Sequence, residues 1–280
     1  MVTDFHQTEL SWLKDMQAFL KGPILDLFFF LWNFVDTFSF SMILITVVWH
    51  LFSKKKGIKL FYIIILSAAI NHFLKELFSL ARPCHIDPSV GMLCLPSYGL
   101  PSNAAQSAVL LCSVIFVESR KNLYRILGII FALLLCLSRL YLGVHFISDV
   151  AAGMIVGALM GYIYLKWFPI LEKNWKKSFV LFPVVLFLLG GLHTPLLLSF
   201  VLGAEAGLIA LGKKKEEKRP FILKLYKTIF IFMGLFLLSK GAELSNPLRL
   251  IFGFVMGIWL SYLGEWTAKL IYFSFRKKAT

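Results

Sequence analysis

A chain of 280 residues that is 59% hydrophobic and only 16% charged departs from water-soluble domains, which run nearer half apolar and a quarter charged. Its apolar residues come in long uninterrupted runs, which excludes a cytosolic enzyme, a disordered chain and a disulfide-stapled secreted module. The net charge of +14 points to nucleic acid or to an anionic surface, and the positions of the charges decide between them.

Residues 1–22 mix charges with Phe5, Trp12, Leu13, Met16, Phe19 and Leu20 and read as an amphipathic helix lying on the outer face of a membrane. They lack the cationic start and cleavage site of a signal peptide. Beyond them, apolar runs long enough to span a bilayer fall at about 23–52, 58–80, 103–118, 126–143, 147–168, 179–193, 195–212, 221–239 and 248–268. The predicted fold is all-α, a polytopic membrane helix bundle of about nine spans. Basic clusters at 54–59, 120–125, 166–177, 213–227 and 269–278 hold 22 of the 29 Lys and Arg. Each follows an odd-numbered span, so all five share one side, which the positive-inside rule makes cytoplasmic. The N-terminus is then outside and the C-terminus inside. The charge is spent on orientation, and no nucleic-acid partner is expected. A cytoplasmic patch for anionic lipid stays open as an alternative.

Cys84 and Cys94 share an outer loop and can pair in an oxidising compartment. Cys112 and Cys136 lie inside spans, as small packing residues do. Gly153, Gly157 and Gly161 recur every four residues and give a small face for close helix packing within the bundle. Glu205, in an apolar span, marks a polar passage or pairs within the bundle.

The informative charges are the few on the outer side. Lys75 and Arg82 are seven residues apart, which predicts one shared helical face, with Pro83 ending the helix. Arg139 closes the fourth span. His145 and Asp149 follow, four apart, a spacing that lets them hydrogen-bond on a helix. Ionisable groups at a membrane edge are functional hypotheses by default. A lone cation there can simply snorkel to the headgroups. Three cations, a histidine and an aspartate on one side instead make a phosphoryl-binding site. The two arginines offer planar forks, and His145 can attack phosphorus while Asp149 holds its other ring nitrogen.

Lys75-x6-Arg82-Pro83, Pro101-Ser102 and Ser138-Arg139-x5-His145-x3-Asp149 resemble the three-part signature of the type-2 phosphatidate phosphatase superfamily, which includes membrane lipid phosphatases, glucose-6-phosphatase and acid phosphatases. The resemblance implies a six-helix phosphatase-like core within 23–178, followed by additional spans and a basic tail over 179–280. It implies a phosphohistidine mechanism without metal or other cofactor. His145 is the expected nucleophile, Asp149 its orienting partner, and Lys75, Arg82, Ser102 and Arg139 the phosphate cradle. One motif departs from the pattern. Where the family reads Pro-Ser-Gly-His, this chain reads Pro101-Ser102-Asn103-Ala104, so the family's general acid is a methyl group. Such an acid contributes roughly 10²–10⁴-fold, less when the leaving group is itself a phosphate. His85, Asp87 and Tyr98 lie in the outer loop as substitutes, His85 first. A Cys84/His85/Cys94 metal site lacks a recognised ligand spacing. The reading is an integral membrane phosphatase for a lipid phosphate or polyprenyl pyrophosphate, at the non-cytoplasmic face of a bacterial inner membrane, with the endoplasmic reticulum less favoured. Its alternatives are a phosphotransferase using a polyprenyl pyrophosphate donor and a lipid-binding pseudo-enzyme.

Overall fold

The computed structural model describes residues 4–173, 175–190, 195–212, 220–241 and 246–278. The cations at 213–219 and the final two residues of the basic tail lie outside the described residues. Among those described there is helix and no strand, as the composition requires. The helices are α1 (Asp4–Leu20), α2 (Pro23–Trp32), α3 (Phe38–Val47), α4 (Lys54–Phe78), α5 (Pro83–Ile86), α6 (Asn103–Glu118), α7 (Asn122–Tyr141), α8 (Ile147–Lys173), α9 (Trp175–Gly190), α10 (Pro195–Leu211), α11 (Phe221–Gly241), α12 (Asn246–Ile258) and α13 (Gly264–Lys278). A 3-10 turn, Asn33–Asp36, follows α2. Every predicted apolar run is mainly helical over its described residues, the exceptions being the bend at Thr37, Ser79 and Leu80 beyond α4, and the turn residues Leu142, Gly143 and Gly212. By length and composition five described helices can cross a membrane, and a sixth span arises if Pro23–Asp36 and Phe38–Phe52, bent by 66°, count as one.

The chain forms two compact units that interleave in sequence. One comprises Met1–Phe40 and Leu66–Lys173, the other Ser41–Ile65 and Asn174–Thr280. In the first, α6 packs between α7 and α8. The small stripe Gly153, Gly157 and Gly161 faces α6: added Cβ atoms would run into Ser102 O, Gln106 O and the Ser113 side chain. Glycine there lets the two backbones touch, so the stripe serves packing within the bundle.

The N-terminal helix is not merely laid on a surface. Leu10 and Leu13 are buried against Val90 and Phe146. Gln17 Nε2 donates to the carbonyls of Val90 and Tyr141, both at 2.9 Å, and Lys14 pairs with Asp87 at 2.5 Å. In α2, Asp26 accepts from the Tyr141 hydroxyl, and Phe29 packs on the same ring.

In the second unit an aromatic core joins Trp49, Phe61, Phe200, Tyr62 and Phe182. Gly203 and Gly257 let α10 and α12 meet backbone to backbone. α3 and α12 each run on into a π turn, Val48–Phe52 and Trp259–Leu263, and His50 Nε2 donates to the Leu260 carbonyl at 2.9 Å. Glu205 is buried and accepts from the Tyr62 hydroxyl at 3.1 Å. Of the two readings left by the sequence, pairing within the bundle is the one with a visible partner.

Candidate active site

Two local expectations need correction. Lys75 and Arg82 do not share a helical face, because α4 ends at Phe78 and not at Pro83. Ser79 has φ +49°, a left-handed residue that breaks the helix one turn early. Arg82 is extended, as the residue before a proline prefers. The loop, not a helix face, brings it back beside Lys75. Likewise, His145 precedes α8 and shares no helix with Asp149. Asp149 stands in the first turn of α8 and reaches back, its Oδ2 accepting from Phe146 N at 3.0 Å and from His145 Nδ1 at 3.2 Å. The carboxylate thus caps the helix and fixes the imidazole in one bond.

The chain reaches His145 through a turn that only glycine suits. Gly143 has φ +64°, and a Cβ there would overlap the Val90 carbonyl. With Nδ1 donating to Asp149, the other ring nitrogen is the acceptor. His145 Nε2 accepts from Arg82 Nη1 at 3.0 Å. The site is buried: His145, Asp149 and Arg82 are each 2% exposed, Lys75 is 7% exposed, and Ser102 and Arg139 are fully buried. Burial first, then the charges of Arg82, Lys75 and Arg139, hold the His145 imidazole well below the ordinary histidine range. It is therefore neutral at neutral pH, its Nε2 lone pair unprotonated and held by Arg82.

Loop 83–101 supplies the acceptors that aim the cations. Arg82 Nε and Nη2 donate to Ser97 O at 2.6 Å and Ser97 Oγ at 2.8 Å, and Nη1 also donates to Val144 O at 2.8 Å. Lys75 Nζ donates to Tyr98 O at 2.5 Å and Gly99 O at 3.2 Å. A disulfide between Cys84 and Cys94 closes this loop, which takes both thiolates away from any metal. Ser102 caps α6, accepting from Ala105 N at 3.4 Å, and its own N–H donates to Asp149 O at 3.0 Å.

Two of the expected substitutes for the missing acid, His85 and Asp87, are otherwise engaged. His85 Nδ1 accepts from Arg82 N, and Nε2 donates to Leu95 O at 3.1 Å. That tautomer leaves His85 no free proton for a leaving group. Asp87 is tied to Lys14 and Ser89, and those hydrogen bonds, Lys14's first, hold its carboxyl below the usual range. Tyr98 gives its carbonyl to Lys75 and leaves its ring 38% exposed.

The sequence reading missed the N-terminal contributors. Arg139 Nε donates to Ser138 Oγ, and Nη1 donates to Asn33 Oδ1 at 3.0 Å and to Asp36 Oδ2 at 3.4 Å. Nη2 is buried without a hydrogen-bond partner among the described residues. Asp36 Oδ1 accepts from Asn103 Nδ2 at 2.9 Å, so the residue standing where the family has glycine holds a carboxylate. Glu9 accepts from Ser148 N at 2.7 Å and Ser148 Oγ at 2.9 Å, capping the helix that carries Asp149. One signal for these residues was present: Asp26 and Asp36 are carboxylates inside an apolar run, the same exception that singled out the cations.

An unprotonated imidazole ringed by fixed cations, one with an unpartnered N–H pair, is an arrangement able to bind a tetrahedral oxyanion and to attack it. Comparison with known proteins agrees with that chemistry. The PAP2 superfamily model matches residues 56–173. Human sphingosine-1-phosphate phosphatase 2 is 29% identical over 111 residues, covering 36% of this chain and 27% of the relative. Phosphatidylglycerophosphatase B of Bacillus subtilis is 30% identical over 118 residues, 39% of this chain and 56% of the relative. The chain thus spans less than two thirds of either relative's length. No solved structure matches. Lys75, Arg82, Ser102, Arg139, His145 and Asp149 all fall inside the segment, residues 56–173, over which this chain is similar to the PAP2 superfamily.

Proposed function

We propose that the protein is an integral membrane hydrolase of phosphoric monoesters or pyrophosphates whose substrate is a lipid phosphate or polyprenyl pyrophosphate. The observation that carries the reading is His145: neutral, buried, oriented by Asp149 through Nδ1, with Nε2 directed into the cation cluster. Nε2 attacks phosphorus and forms a phosphohistidine, and water releases phosphate. Lys75, Arg82, Ser102 and Arg139 cradle the phosphoryl oxygens, the unpartnered Arg139 Nη2 being the donor best placed to gain a bond on binding. No metal or other cofactor takes part. Lipid substrates fit a site on helices long and apolar enough to cross a membrane.

The active site faces the non-cytoplasmic side of a bacterial plasma membrane, with about nine spans, the N-terminus outside and the C-terminus inside. Both the distribution of cations and the Cys84–Cys94 disulfide beside the site support that orientation. Residues 23–178 carry the phosphatase core and 179–280 the additional helices. Passing the phosphoryl group to a lipid acceptor in place of water is a variant of the same chemistry. A purely lipid-binding protein would need the cations but not the assembled His145–Asp149 pair. The test is phosphate release from phosphatidate, phosphatidylglycerophosphate and undecaprenyl pyrophosphate by the purified protein, with His145→Ala as control. Lipid binding without release or transfer from any of the three would overturn the enzyme reading.

A further inference from the structure

Asp36 and Asn103 are bonded polar residues of the site that the phosphatase reading leaves without a task. Asp36 stands on the 3-10 turn after α2, outside the segment that matches the family model. Both its oxygens accept hydrogen bonds, Oδ1 from Asn103 and Oδ2 from Arg139. Its carboxylate interacts electrostatically with Lys75 and Arg82 as well. Its side chain is 13% exposed, against none for Arg139. Trp32 and Val35, from the end of α2 and the same turn, pack against Ala104, Ala108, Ala132 and Leu135. The space beside position 104 therefore holds the turn that brings the carboxylate, and the side chain at 103 grips it.

We propose that Asp36 is the base of the second half-reaction and that the site is consequently built for lipid pyrophosphates rather than lipid monoesters. The inference rests on the phosphohistidine reading above. In the first half, the Nε2 lone pair of His145 forms the N–P bond as the bridging P–O bond breaks. The leaving oxygen departs with the bonding pair on a lipid monophosphate, an anion stable without a proton. In the second half, a water oxygen bonds to phosphorus and the P–N bond returns its pair to His145. Asp36 takes the water proton and afterwards releases it to solvent. Charge and atoms balance: lipid pyrophosphate and water give lipid monophosphate, phosphate and a proton. A monoester would have to expel an alkoxide, and Ala104 offers no proton at the position where the family's pattern places its acid. Asn103 is a positioning residue that keeps Asp36 aimed while Arg139 engages the phosphoryl group.

The experiment uses the full-length protein in detergent with farnesyl pyrophosphate carrying ³²P in the terminal phosphate, quenched in alkali, where phosphohistidine survives. The wild type is expected to turn over. Asp36→Asn, nearly isosteric, should release about one equivalent of farnesyl phosphate and stall with label on His145, its steady-state rate down on the order of 10²–10⁴-fold. Asn103→Ala should slow the same step with the first half intact. Ala104→His in the Asp36→Asn background should restore turnover, because an imidazole can take the proton; a role confined to holding Arg139 would not be rescued this way. Unchanged turnover in Asp36→Asn, or equal loss of burst and turnover without rescue, overturns the inference. Wild type that neither labels nor turns over overturns the phosphohistidine reading and this inference with it. Equal rates on farnesyl phosphate and farnesyl pyrophosphate would refute the substrate preference alone.

Discussion

Glu9 offers a test of the site's architecture that does not depend on knowing the substrate. Its carboxylate is 2% exposed and takes both the backbone N–H and the hydroxyl of Ser148, in the first turn of the helix that carries Asp149. Replacement by Ala removes a helix cap, which costs roughly 0.5–2 kcal/mol. It also leaves a buried N–H unsatisfied, which costs roughly 1–3 kcal/mol. The two descriptions overlap, so the expected loss is about 1–3 kcal/mol rather than their full sum. Glu9→Gln keeps an acceptor for the N–H and loses only the charge near a helix N-terminus, about 0.3–1 kcal/mol. Leu10, Leu13 and Gln17 still dock α1 in both variants, so the effect should stay local. Reversible unfolding in mixed micelles measures the first quantity. Turnover measures the second, since a frayed α8 start loosens Asp149 and with it the tautomer of His145. The order expected for both is wild type, Gln, then Ala. Glu9→Ala within about 0.5 kcal/mol of wild type and with full turnover would refute the claim that the N-terminal helix supports the site.

Reduction of Cys84–Cys94 should lower activity, because Ser97, Tyr98 and Gly99, which hold Arg82 and Lys75, lie just beyond the ten-residue closure; rates with and without a membrane-impermeant reductant, against Cys84→Ser/Cys94→Ser, check this. The depressed His145 fixes a sign for pH. The unfolded imidazole takes a proton near its ordinary value of 6.5 while the folded one does not. Stability should therefore fall as pH drops below about 6.5, by up to about 1.4 kcal/mol per pH unit, and His145→Gln should flatten that dependence. Glu205→Gln should preserve turnover and cost little, since Tyr62 can still donate to an amide oxygen; loss of activity with the fold intact would point back to a polar passage.

The extent to which the sequence discloses this site follows from the distance over which each residue acts. Arg82, Arg139, His145 and Asp149 are legible because residue type and spacing within one segment carry their chemistry. The path to them is less so: nothing in Phe78-Ser79-Leu80-Ala81 announces a left-handed residue, so the end of α4 was placed a turn too late. Glu9, Asn33 and Asp36 act on partners 139, 106 and 103 residues away, and no local pattern encodes such a pairing. Asn103 has no legible role in the sequence without its partner. Its meaning lies wholly in Asp36.

The interleaving of the two units carries a consequence for synthesis. Tyr62 is made 143 residues before Glu205, and His50 is made 210 residues before Leu260. At about 5–20 residues per second, Tyr62 and His50 wait on the order of ten to forty seconds for their partners. Residues 66–173 are made within that interval, so the first unit is complete while Glu205 and Leu260 are still to come. The phosphatase half can thus mature while the segment 41–65 is still unmatched, its polar groups left to lipid, water or a chaperone. Lesions in 174–280 should therefore act first on the lifetime of the newborn chain, and only afterwards on its chemistry.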